Sequence, residues 1–134
     1  MKNVPHPIPY QGSKRKLAPQ IYGYIPKDID VFYEPFAGSA AMSIYIASGQ
    51  GAKHFVIADK FEELIQLWEL IVNKPSEATA RYSEVWSGFS EENPNYFNEI
   101  RTLYNLEKDP IHLLYLICRC VKNAVRFNAS GNFT

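Results

Sequence analysis

The sequence predicts an α/β chain that begins with two parallel strands of a doubly wound sheet and continues as a mainly helical segment. Three observations carry that expectation. Val31 to Tyr33 is a strand-forming run that breaks at Pro35 and turns through the small residues Ala37, Gly38 and Ser39 into a helix from Ala40 to Ser48. A second apolar run, His54 to Ala58, closes on Asp59. From Phe61 onward apolar residues recur at helical spacing, and no strand is expected beyond Ser76.

Taken in order, Met1 to Pro9 reads as an extended arm punctuated by proline, and Leu17 to Tyr24 as a short helix closed by Pro26. The first strand and helix follow. Gly49, Gln50 and Gly51 then turn the chain into the second strand. Leu64, Ile65, Leu67, Trp68, Ile71 and Val72 form the apolar stripe of a helix that Asn73, Lys74 and Pro75 stop. Three more helices are expected, over Ser76 to Ser87, Pro94 to Leu106 and Ile111 to Val125, with breaks at Ser90 to Asn93 and at Lys108 to Pro110.

The turn between the first strand and its helix has chemical content. Small residues let a ligand approach the backbone, and unpaired amides at a helix start favour a polar or anionic group. Asp59 lies about twenty residues further on, where a doubly wound fold places a carboxylate that accepts from the two hydroxyls of a ribose. Together these features suggest a nucleoside-bearing cofactor. The plainer alternative is an ordinary turn, with Asp59 capping the helix that begins near Phe61.

Composition narrows the class. The 134 residues are 46% hydrophobic and 21% charged, enough for one compact domain. Fourteen basic side chains balance fourteen acidic ones, so no global basic field announces nucleic acid. Local basic clusters occur at Lys14, Arg15 and Lys16 and at Arg119, Lys122 and Arg126; each by default is a solvated face. Cys118 and Cys120 would point different ways on a helix, which favours neither a disulfide nor a metal site and suits a reducing cytoplasm. His6, His54 and His112 lack the spacing of a metal site or triad, and no apolar stretch reaches the roughly twenty residues of a membrane span.

Upstream of the turn stands Pro9-Tyr10-Gln11-Gly12-Ser13-Lys14, and near the other end Asn123-Ala-Val-Arg126-Phe-Asn128-Ala-Ser-Gly131-Asn-Phe133. With Glu34-Pro-Phe36-Ala-Gly38-Ser-Ala40 and Asp59, these blocks resemble the Dam-like DNA adenine methyltransferases. That family has an aromatic-x-Gly-x-Lys segment, a Glu-Pro-Phe-x-Gly-x-Gly turn, an acid closing the second strand and an Asn-x-x-Arg-Phe-Asn-x-x-Gly-x-Phe stretch. The resemblance spans residues 9 to 133. It implies a partial Rossmann-like methyltransferase fold, with S-adenosylmethionine as methyl donor and double-stranded DNA as substrate.

Carried over residue by residue, it assigns Tyr10, Lys14, Glu34, Phe36, Gly38, Ser39, Ala40 and Asp59 to the cofactor. Lys122, Asn123, Arg126 and Asn128 fall in the DNA-contacting stretch. Residues 1–75 would belong to the S-adenosylmethionine-binding domain and 76–134 to the start of the DNA target-recognition region. Each assignment has a bland counterpart: Tyr10 as a core aromatic, Lys14 as a solvated charge, Glu34 as a cap or ion-pair partner. Asn123 and Arg126 likewise read as a helix C-terminal cap and a turn, since Asn128 to Gly131 has turn composition.

Two departures from the family pattern matter. Ala40 replaces the second turn glycine, for which modest crowding is expected. The family's catalytic Asp-Pro-Pro-Tyr is absent, the sole Asp-Pro being Asp109-Pro110. No catalytic residue or metal ligand is therefore assigned. The expectation is an N-terminal fragment or one subunit of a split enzyme, inactive alone and partnered by a missing C-terminal half or by itself through an exposed sheet edge. The competing reading is a non-catalytic nucleotide-binding or interaction module. A dinucleotide-dependent oxidoreductase is disfavoured by Ala40 and by a missing third glycine.

Overall fold

The computed structural model describes residues 4–134, so the first three residues of the expected arm lie outside it. The chain forms two compact units, one ending at Lys60 and one running from Phe61 to Thr134.

The first unit contains α1 (Ala18–Tyr22), β1 (Ile29–Pro35), α2 (Ala41–Ser48) and β2 (Ala52–Ala58). The strands pair in parallel, with Val31 opposite His54, Tyr33 opposite Val56 and Pro35 opposite Ala58. The strand ends at Pro35, as expected, but includes Glu34 and Pro35. Pro35 is the last residue of β1, a position where the missing amide hydrogen costs no interior ladder bond. Side chains alternate across the sheet. Phe32 and Phe55 face a core built on Ala18, Met42 and Ile46, where their rings meet edge-on at 6.2 Å. The opposite face leaves Tyr33 65% and Val56 44% exposed.

α2 does not begin in ordinary helical geometry. Its N-cap, Ala40, has φ +47° and ψ +40°, and Phe36 and Gly38 are also left-handed at φ +62° and +51°. A Cβ in that region costs about 1–2 kcal/mol per residue. Modest crowding is the expected effect of Ala40; the structure shows that its backbone angles are not the ordinary ones alanine tolerates, so at this position glycine's freedom is needed and alanine bears strain.

The second unit contains α3 (Glu62–Asn73), α4 (Pro75–Ser87), α5 (Tyr96–Glu107) and α6 (Pro110–Arg119). Ile111 and Leu113 to Ile117 are all buried, so α6 is apolar nearly all round, and α3, α4 and α5 each pack on it. Asp109-Pro110 has a structural task here. The Oδ1 atom of Asp109 accepts from the amides of Ile111 (2.7 Å) and His112 (3.4 Å), and Pro110 occupies the first helical turn, where no amide is needed. The other carboxylate oxygen pairs with Arg81 of α4.

α6 stops at Arg119, short of the expected Val125. Asn123 donates from Nδ2 to the carbonyl of Ile117 at 2.9 Å, and the Cys120 thiol also reaches that carbonyl, so side chains satisfy the last turn. Lys122 and Asn123 then take positive φ values of 59° and 51° in a 3-10 turn over Val121–Asn123. Beyond it, Phe127 and Phe133 form an antiparallel bridge.

Three substitutions test these local constraints. Asp109→Ala should lower unfolding free energy by about 2 kcal/mol in urea titrations, from a lost cap and a half-exposed ion pair. Asp109→Asn, which keeps the cap acceptor, should cost about half as much. Ala40→Gly should raise stability by about 0.5–1 kcal/mol, relief of strain outweighing the lost methyl and the freer unfolded chain. An unchanged or lower midpoint would show that Ala40 is not strained.

Candidate cofactor turn and nucleic-acid segment

The β1–α2 turn is held from four directions. The Ala37 amide donates to the carbonyl of Ala58 at 2.8 Å, carrying the strand pairing past Pro35 into the turn. The Gly38 amide donates to Asp59 Oδ2 at 3.0 Å. Glu34 grips α2 with both oxygens, accepting from the amides of Met42 (3.2 Å) and Ser43 (2.8 Å). Ser39, only 4% exposed, joins its hydroxyl to that of Ser13 at 2.7 Å.

Glu34 thus supplies the anion for two amides that the sequence left open for a ligand. Phe36, by contrast, is 86% exposed despite its strained backbone. A bulky residue at positive φ with its ring in solvent is unexplained by packing and marks a place where function is a reasonable cause.

The N-terminal arm reaches this turn. Ile8, 2% exposed, anchors it, and the Tyr10 ring lies against Gly38, where a Cβ would stand 3.5 Å from Tyr10 Cε1. Burial, and then the charge of Asp59, raise the Tyr10 hydroxyl above its usual pKa, keeping it protonated. Tyr10, Gly38, Ser39 and Asp59, scattered through the first sixty residues, are therefore brought together. Ser13 joins them, a contact missed by the sequence reading because a serine in a turn carries no signal of its long-range partner. Lys14 is exposed and donates from Nζ to the Gly12 carbonyl at 2.8 Å.

The segment after α6 divides its candidates by task. Asn123 caps α6. Asn128 Oδ1 accepts from the amides of Ser130 and Asn132, each at 3.0 Å, building the turn between Phe127 and Phe133. Lys122 and Arg126 are exposed, and the charge of Arg126 reaches the Cys120 thiol, where it partly offsets the upward effect of burial. Asn105 was not foreseen. It pairs with both backbone groups of Phe133, accepting from the amide at 2.7 Å and donating to the carbonyl at 3.2 Å, and so stands in for a neighbouring strand.

Among the described residues no helix is long and apolar enough to cross a membrane. The family described as D12 class N6 adenine-specific DNA methyltransferase matches residues 10–134. Type II methyltransferase M.CviBI of Paramecium bursaria Chlorella virus NC1A is 29% identical over 128 residues, covering 94% of this chain and 47% of that protein. Modification methylase LlaI of Lactococcus lactis subsp. lactis is 26% identical over 132 residues, covering 95% and 21% respectively. Type II methyltransferase M.MjaIII of Methanocaldococcus jannaschii is 22% identical over 142 residues, covering 94% and 49%. The chain thus spans from about a fifth to about half of these relatives. With the family match running from Tyr10 to Thr134, this chain belongs to the D12 class of N6 adenine-specific DNA methyltransferases.

Proposed function

We propose that the chain is the N-terminal part of a site-specific DNA methyltransferase, with residues 1–75 contributing to S-adenosylmethionine binding and 76–134 starting the DNA target-recognition region. The convergence of Tyr10, Gly38 and Asp59 carries this reading. The residues present fit the cofactor: a carboxylate at the end of β2 suits ribose hydroxyls, and the exposed Phe36 ring offers a flat apolar surface. Tyr10 would wall one side, Lys14 would lie at its rim, and Ser39 and Ala40 would shape the floor. Glu34 would act through α2, whose first turn it holds.

When bound, S-adenosylmethionine supplies the methyl group for adenine N6. What this chain contributes is placement. The acceptors for the target amine and an aromatic surface for an extruded base belong, in the family, to Asp-Pro-Pro-Tyr, a motif absent from these 134 residues. They would come from further polypeptide, in the same chain or as a complementary subunit docking on the exposed sheet edge. Lys122 and Arg126 supply charge for the DNA backbone, and Asn123 and Asn128 shape the segment that carries them. Two free thiols suit a reducing cytoplasm. The missing motif equally fits a non-catalytic module that retains the fold, and complementation separates the two.

Asp59→Ala should weaken S-adenosylmethionine binding by about 2–4 kcal/mol in calorimetry, from the loss of two charge-assisted hydrogen bonds. Affinity equal to that of the parent would restrict Asp59 to holding Gly38. Tritiated methyl incorporation into unmethylated DNA should be nil for the chain alone and restored by mixing with a polypeptide carrying Asp-Pro-Pro-Tyr. Incorporation by the isolated chain would place the catalytic acceptors within these residues.

A further inference from the structure

Arg119 ends α6 with its guanidinium carbon 4.5 Å from the centre of the Phe89 ring and 5.2 Å from that of Trp86. Both rings are close to half exposed, at 42% and 46%, and Arg119 itself is exposed. Cation–π contact with two rings restrains the guanidinium while leaving its planar set of N–H donors available for hydrogen bonds. No ion pair among the described residues engages Arg119: the acidic partners found are paired with Lys53, Lys74, Arg81 and His112.

From Arg119 to Thr134 the chain carries three cations and no acidic side chain. The nearby tyrosine hydroxyls give Arg119 no counter-charge. Burial raises Tyr115, while the charge of Arg119 and a hydrogen bond from its side chain lower it, so the phenol is a neutral partner of the guanidinium and leaves it without an anion. A cation at a helix C-terminus also complements the helix dipole, but a lysine on a mobile stem would do that as well. The feature left over is an exposed guanidinium, restrained by two rings and a phenol, with N–H donors beyond the one used on Tyr115, the group that matches a tetrahedral oxyanion bidentately.

We infer that Arg119, held between Trp86 and Phe89, is a pre-oriented contact for a phosphate of the duplex DNA backbone. The inference rests on the DNA-methyltransferase reading and extends it to a residue outside the motif that suggested DNA contact. The sequence of the target is read elsewhere; this contact sets register and affinity.

The test is the salt dependence of duplex binding by the 134-residue chain, followed by fluorescence anisotropy with labelled DNA. Arg119→Gln should reduce the slope of log K against log salt by about 0.9, the contribution of one phosphate. Arg119→Lys and Phe89→Ala keep the charge and should keep the slope, yet bind several-fold more weakly because the fork is no longer held. Thermal midpoints of all three variants identify any that lose binding through unfolding. An unchanged slope for folded Arg119→Gln overturns the inference. So does binding of poly-glutamate that is lost in Arg119→Gln while the DNA slope stays constant, which would assign the fork to a carboxylate-bearing protein. If the parent chain shows no salt-dependent duplex binding, the inference falls together with the DNA reading. Cofactor calorimetry is independent of both and would stand.

Discussion

The N-terminal unit depends on a turn that its own residues disfavour. Phe36, Gly38 and Ala40 are all left-handed within five positions, and glycine occupies just one of them. Strain of this kind persists where the surroundings over-determine it. Here the surroundings are two carboxylates. Parallel strands in register, with Pro35 opposite Ala58, bring Glu34 and Asp59 to the same end of the sheet. From there Glu34 fixes the first turn of α2 and Asp59 fixes the Gly38 amide. Register, turn and helix start are one device, and a slip of either strand would release all three.

The second unit solves a related problem with amides. After α6 the backbone leaves regular structure, and each irregular point is held by an asparagine: Asn123 at the helix end, Asn128 in the turn, Asn105 across the bridge at Phe133. Neutral side chains satisfy the backbone without neutralising the cations around them. A chain with zero formal charge can therefore present a locally basic segment, which is why its overall charge weighs little against nucleic acid.

The alternation of strand, turn and helix was legible because it rests on local periodicity. The helix from Ile111 was expected as one of three, and its central place was not read in advance although its apolar run to Ile117 is nearly unbroken. What the residues concealed were pairings across distance. That Glu34 and Pro35 would still belong to β1 was hidden because the strand partner, ending at Ala58, is far along the chain. The end of α6 was misplaced because the decisive bond runs from a side chain, Asn123, that is equally at home in a helix or a turn. At the site, the turn and its spacing pointed to Gly38 and Asp59, and the family resemblance added Tyr10. Glu34 as a cap was one of the readings on offer, and the structure directs it onto α2; that Ala40 would need a glycine's backbone angles was not legible, since it follows from how the turn closes.

The uncovered sheet face follows from the same architecture. A parallel crossover places its connecting helix on one side of the sheet, and α2 covers that side alone, leaving Val31, Tyr33 and Val56 to solvent. Apolar surface of this kind contributes about 25 cal/mol per Å² when covered, and a two-stranded sheet has little else in reserve. Relatives that carry at least as much polypeptide again have the material to cover such a face. The turn at Phe36 to Ala40 lies at the carboxyl end of the same strands. An element laid over this face to bury Tyr33 and Val56 would lie on the same strands whose carboxyl ends carry Asp59 and Phe36, so the uncovered face and the strained turn are neighbours within one small sheet.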